Sequence, residues 1–349
     1  MSSNLERRYR RVLRLLPGWY RKQWEQDMVA AFLDSWLTGD PEADEYIYQA
    51  AGPGWAEITS VAGLAVRLYL GGANAPRRYF AWGQAARNAV LTVMLMHAVL
   101  AVDLFVQTAW SHRLFGLPAP PASLQTASPG GLWPAVYYLA NFAWIAVFVT
   151  LALGHYRTAR VVAVLAIVPD PVALLQAQLT GTMPAPFGSW AFWPLLSLAP
   201  VLAMAAFHRD APPPARRPWL LALPVGYVLI YLPLLTLGAT GNSDWIPDFP
   251  GLCCILVSLA CLGRTPWIRS RRSAGSGVWS LTLTLLAAVA GAYRITSLTD
   301  YLHRDPHMVT VSLAELLILL VSVGLIAPDA ARAQKATPAP PPYPQTIAA

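Results

Sequence analysis

Eight apolar stretches, each long enough or nearly long enough to cross a hydrocarbon core as a helix, constrain this chain more than any other feature. They lie at about 88–109, 132–153, 160–179, 190–207, 218–239, 248–263, 278–297 and 308–327. A core about 30 Å thick needs roughly 20 apolar residues at the helical rise. Backbone polar groups in lipid have no water to satisfy them, so such segments fold as helices or closed barrels. Runs of this length predict helices. The third stretch is interrupted by "IVPDPVALL" and the sixth is short. The expected fold is all-α: a polytopic helical membrane protein with about eight transmembrane helices behind a small N-terminal cytosolic helical domain. Domains are expected at 1–72 (cytosolic amphipathic helices), 73–327 (the transmembrane part) and 328–349 (a disordered Ala/Pro-rich cytoplasmic tail).

Composition agrees with that class. Of the 349 residues, 56% are hydrophobic and 12% charged, against roughly a quarter charged in ordinary globular chains. The net charge of +7 comes almost wholly from arginine, Lys22 and Lys335 being the only lysines. In a soluble chain that balance would suggest nucleic acid. Here the arginines flank apolar runs, where they orient the chain and meet anionic headgroups, so the bilayer and not nucleic acid is the expected partner. Arg157 and Arg160, then Arg209, Arg216 and Arg217, then Arg264, Arg269, Arg271 and Arg272 fall in the loops after spans two, four and six. The alternate loops hold Arg113 and Arg304, with Arg294 close by. Both termini are therefore expected in the cytoplasm and the protein in the plasma membrane. Arg14 and Pro17 break the first apolar run, so a cleaved signal peptide is not expected. Cys253, Cys254 and Cys261 share one apolar segment without ligand spacing and read as packing residues.

The N-terminus differs from the rest. Leu5, Tyr9, Val12, Leu13 and Leu16 recur at helical spacing, with Arg7, Arg8, Arg10, Arg11 and Arg14 between them, until Pro17 and Gly18. A second helix carries Tyr20, Trp24, Met28, Phe32 and Trp36. A third, "WAEITSVAGLAVRLYLG", carries Ile58, Val61, Leu64, Ala65 and Leu68. Three such helices can bury a shared core or lie on the inner leaflet.

"LERRYRRVLRLLPGWYRKQWEQDMVAAFLD" followed by "GWAEITSVAGLAVRLYLG" resembles the permease-prefix or HAAS-type module that precedes multi-pass segments in actinobacterial and other bacterial membrane proteins. Tyr9, Arg10, Leu13, Leu16, Pro17, Tyr20, Arg21, Glu25, Met28, Gly63, Leu64, Arg67, Leu68 and Gly71 stand at the matching places, and the likeness ends near residue 72. The resemblance implies a cytosolic interaction or signalling module ahead of a permease-like or sensory membrane part. Arg7, Arg10, Arg14, Arg21 and Trp24 are the candidate surface toward a protein partner or lipid.

Ionisable and polar groups within spans are costly and mark candidate sites. Here they are His97, Asp103, Asn141, Asp170, Arg294 and Glu315. Arg294 and Glu315 are expected at similar depth on consecutive spans, as a structural ion pair or as a ligand or proton site. "PDP" around Asp170 should kink or break its helix, leaving a carboxylate that coordinates a cation or accepts hydrogen bonds from freed backbone groups or Asn141. Asp300, His303, Asp305 and His307 gather in the last outer loop, either as solvated charge or around a metal. No H-E-x-x-H, G-x-S-x-G or P-loop pattern is present. No cofactor is expected. The leading expectation is a non-enzymatic regulatory or sensory subunit, ahead of a transporter or exporter subunit whose ATPase is another chain, with a membrane enzyme third.

Overall fold

The computed structural model describes residues 4–36, 52–72, 75–116, 132–169, 197–208, 211–239, 247–270, 276–302 and 305–336, with isolated positions between 171 and 179. Every regular element among them is helical. In chain order these are α1 (Asn4–Leu13), α2 (Gly18–Asp34), α3 (Trp55–Tyr69), α4 (Arg77–Ser111), α5 (Leu132–Leu153), α6 (Tyr156–Ile167) and α7 (Ser197–Ala206). Then come α8 (Arg216–Gly238), α9 (Phe249–Ser270), α10 (Ser276–Tyr301) and α11 (Pro306–Ala336).

Five of them, α4, α5, α8, α10 and α11, are long and apolar enough to cross a membrane, while α7 and the apolar part of α9, Phe249–Thr265, are shorter. The third expected span is described continuously only in its first half, by α6; Pro169 and Pro171 are described as helical, and Asp170 between them lies outside the described residues. Leu139, Leu202, Leu229, Leu317 and Leu320 are all at least two-thirds or nearly two-thirds exposed. Leucine surfaces on this scale suit hydrocarbon and would be an aggregation hazard in water.

The chain divides into two compact units, the first running to Gln84 with His208–Ala211 and the second holding the remaining helices. In the first, Leu5, Tyr9, Leu13 and Leu16 meet Val29 and Phe32 of α2 and Val61, Ala65 and Leu68 of α3. Tyr9 stacks on Phe32 with ring centroids 3.9 Å apart. The faces of α1 and α3 follow the sequence periodicity. That of α2 is turned slightly: Val29 joins Phe32 inside, and Trp24, which belongs to the apolar series and also to the candidate surface, is 43% exposed. The unit also runs past residue 72. α3 ends in a Schellman turn, with Gly71 at φ +83° and the Gly72 amide donating to Arg67 O at 2.8 Å. The chain then doubles back so that Gly83 of α4 abuts the Leu70 carbonyl, leaving no room for a side chain.

In the second unit, α4 packs on α5, α6 and α7 through Leu91, Met94, Ala98, Phe148 and Ala163. It meets α10 and α11 through Ala85, Leu281 and Ala330. α9, α10 and α11 form a tight three-helix bundle. α8 contains a π turn at Tyr227–Tyr231 between Pro224 and Pro233. Proline 233 has no N–H for the carbonyl four residues back, and the widened turn accommodates that loss.

The tail beginning at 328 departs from expectation. α11 continues through Pro328 to Ala336, because Asp329 accepts a 2.6 Å hydrogen bond from Ser280 Oγ and Ala333 packs against Gly277 of α10. Tertiary contact there outweighs the missing proline donor. Residues after 336 lie outside the described set.

Candidate functional site

The densest charged cluster among the described residues of the apolar helices sits where α9 begins and α10 ends. Arg294 is fully buried on α10. Its Nη1 donates to Asp248 Oδ2 at 2.5 Å, and its Nη2 lies 2.6 Å from Glu315 Oε2 on α11. The second contact is close but poorly aligned, an ion pair without a well-formed hydrogen bond. Tyr301, seven residues along α10, donates its hydroxyl to Asp248 Oδ2 at 3.1 Å. The structure thus brings Arg294 and Glu315 together, and adds Asp248 and Tyr301.

Asp248 holds this position because it is the N-cap of α9. Its Oδ1 accepts the Gly251 amide at 3.1 Å, leaving Oδ2 for Arg294 and Tyr301. The sequence signal was present in "WIPDFPG": an Asp before a helix whose first turn contains proline. A Cβ on Gly251 would sit 2.7 Å from Asp248 Oδ1 and 2.7 Å from Glu315 Oε1, so the glycine lets both carboxylates close over the helix start. Two carboxylates then face one guanidinium.

The other intramembrane candidates do not join this cluster. His97, on α4, bonds through Nδ1 to the Val93 carbonyl at 2.9 Å and lies against Trp144, ring centroids 4.7 Å apart. Asp103 accepts from Gln107 Nε2 at 2.7 Å, one turn along the same helix. It is buried near Tyr227 and Tyr231 of the π turn, whose hydroxyls find no partner among the described residues. Asn141 donates to its own helix, to Tyr137 O at 2.9 Å. Asp305 caps α11 by accepting the His307 and Met308 amides at 3.0 and 3.2 Å. His303 lies outside the described residues, and among those described no three His, Cys, Asp or Glu side chains are grouped to hold a metal ion. Cys254 and Cys261 are buried in the α9–α11 bundle, and Cys253 is partly so.

Two further arginines end a helix. Arg160 Nη2 donates to Met204 O at 2.9 Å and Phe207 O at 2.8 Å, and Arg87 Nη1 reaches Ala206 O at 3.5 Å. Both charges meet the negative end of α7.

On the N-terminal unit, the five candidate surface residues separate. Arg10 is occupied: its Nε donates to Glu6 at 2.9 Å and its Nη1 to Glu25 at 3.0 Å, joining α1 to α2. The bond to Glu6, followed by that to Glu25, outweighs partial desolvation and raises the guanidinium above its ordinary range. Burial, then the Glu57 carboxylate, pushes the Tyr9 hydroxyl up. Arg21 is half-buried. Arg7, Arg14 and Trp24 face outward, and Arg11, outside those five candidates, continues the stripe one turn after Arg7.

Two cavities lie in the second unit, one of about 170 Å³ between α4, α9 and α10, and one of about 520 Å³ between α4, α7 and α10. Both are lined overwhelmingly by aliphatic side chains. Comparison with family models, with curated proteins and with solved structures yields no match.

Proposed function

We propose that this is a non-enzymatic plasma-membrane protein of eight spans with both termini in the cytoplasm. In this reading it acts as a regulatory or sensory subunit, whose N-terminal helices, a permease-prefix or HAAS-like module, dock a cytosolic or membrane protein. The observation carrying it is the closed core of α1–α3. Leu5, Leu13 and Leu16 are at most 1% exposed against α2 and α3. A helix whose apolar stripe is buried in protein cannot also lay that stripe into a leaflet. Among the residues left outward are Arg7 and Arg11 of α1 and Arg14 just after it, a basic stripe able to bind an acidic partner, and Trp24 of α2.

The span arrangement has support of its own. With eight spans, Arg87, Arg160 and the end of α7 all fall on the cytoplasmic side, and these groups meet. Asp248, Arg294, Tyr301 and Glu315 all fall toward the outer side, and they also meet. Single cysteines placed near Gly181, Asn242 and Asp300 in a Cys-free background should label from outside intact cells, and ones near Ala215 and Ser273 should not. Reversed labelling, or labelling of alternate pairs alone, rejects eight spans.

A second reading, the membrane subunit of a transporter driven by an ATPase on another chain, draws on the excess carboxylate of the Asp248–Arg294–Glu315 cluster. Removal of residues 2–70 separates the two. On the regulatory reading the shortened chain, which keeps Arg77, Arg78 and Arg87, inserts with unchanged topology but no longer recovers its partner after crosslinking. If the full chain recovers no protein specifically, and its N-terminal unit binds only anionic vesicles in a salt-sensitive manner, the regulatory reading fails.

A further inference from the structure

The smaller cavity is a slot along α9 and α10, roofed by α4. Its α9 wall is Phe249, Cys253, Leu256, Val257 and Ala260, a single helical face about 16 Å long at the helical rise. Leu286, Ala290 and Tyr293 of α10 face it. The roof contributes Met96 and His97. Its volume of about 170 Å³ is close to that of a dry aliphatic cavity of roughly 150 Å³ that accepts benzene.

One wall group is out of keeping with such a lining. The Val93 carbonyl can only accept, so the Nδ1 that meets it at 2.9 Å carries the proton. In the neutral ring Nε2 is then an acceptor. It has no hydrogen-bond partner among the described residues, although His97 is only 9% exposed. Trp144 packs against the same ring and limits how it can turn. An acceptor on a mostly buried ring that lines a slot and makes no hydrogen bond among the described residues gains one from a ligand that supplies a donor.

We propose that this slot binds a small, predominantly apolar molecule the size of one aromatic ring that donates a single hydrogen bond to His97 Nε2, a phenol or a compact alcohol. The aliphatic walls supply affinity and the imidazole supplies selection for the hydroxyl. This goes beyond the docking role of the N-terminal helices and does not depend on it: loss of ligand binding leaves partner recovery untouched, and the reverse also holds.

The test uses the full chain in detergent, with phenol as the probe and toluene as a match of similar size that lacks a donor. Cys253 lines the slot while Cys254 and Cys261 do not, so in a Cys254→Ala, Cys261→Ala background an apolar maleimide reports occupancy at one thiol. Phenol should slow labelling saturably and raise the thermal midpoint of the wild-type protein. In His97→Leu the ratio of phenol to toluene affinity should fall about tenfold, the worth of one hydrogen bond. Micelle partitioning of each probe is common to both proteins and cancels in that ratio. Ala260→Leu, which fills the slot and leaves His97 in place, should abolish protection by both probes. An unchanged ratio in His97→Leu, or no saturable protection of Cys253 by phenol, overturns the proposal.

Discussion

Arg294→Gln is expected to lower the stability of the membrane part by about 3–5 kcal/mol, the usual cost of leaving buried charge without its partner. The guanidinium is fully buried, and Asp248 and Glu315 retain only 20% and 12% of their side-chain surface. At an effective dielectric near 20 and about 4 Å, each attraction is worth about 4 kcal/mol, comparable to the several kcal/mol lost in desolvating each ion. The intact cluster therefore contributes little net stability, yet its removal one residue at a time is expensive. Glu315→Gln should cost less, because Arg294 keeps Asp248. In the Arg294→Gln background Glu315→Gln should cost less still or restore stability, since it removes one of two facing carboxylates. The unfolding midpoint in detergent, read over the four proteins of that cycle, checks this. Additive losses would show that Arg294 and Glu315 do not interact. Arg294→Lys should rescue only in part, since a single ammonium cannot match a planar fork held between two carboxylates.

Leu13→Ala should melt the N-terminal helices while leaving α9–α11 intact. Leu13 is fully buried between α1, α2 and α3, and truncating such a leucine costs about 2–5 kcal/mol. A core of this size rarely supplies more than about 3–5 kcal/mol, so the loss is comparable to everything holding it together. Amide exchange over residues 5–68 should rise toward unprotected rates, and trypsin should cut sooner at Arg7, Arg11 and Arg14, with protection of α10 and α11 unchanged. Little effect on the N-terminal helices, or an equal effect everywhere, would mean that α1–α3 have no core of their own. In that case the reading of an independent docking module loses its support.

The placement of Arg294 and Glu315 shows how far periodicity and hydropathy reach. Both residues lie on apolar helices joined by a short connection, so counting residues from the turn puts them at similar depth. Asp248 escaped the same count because it lies just before its helix, where a capping residue looks like any loop carboxylate until the helix it caps has packed. Trp24 is the converse case. Its spacing with Tyr20 and Met28 puts it in their apolar series while it also stands as a candidate surface residue, and only the packing of Val29 and Phe32 into the core decides that it faces outward.

Helical class, the apolar segments and the amphipathic faces of α1 and α3 follow from the sequence alone. They depend on chain-local quantities: hydropathy over a span, and the 3.6-residue period of a helix. Other features belong to the tertiary structure. They include the continuation of α11 past Pro328, held by Ser280 and Gly277, and the meeting of Arg87 and Arg160 at the end of α7. Closure of the Asp248–Arg294–Glu315 cluster and the slot beneath His97 belong there too. Each joins groups from separate helices, 44 residues apart between Arg160 and Met204, 46 between Asp248 and Arg294, and 49 between Ser280 and Asp329. A local pattern carries no term for such pairs, because their energy exists only once the helices have packed.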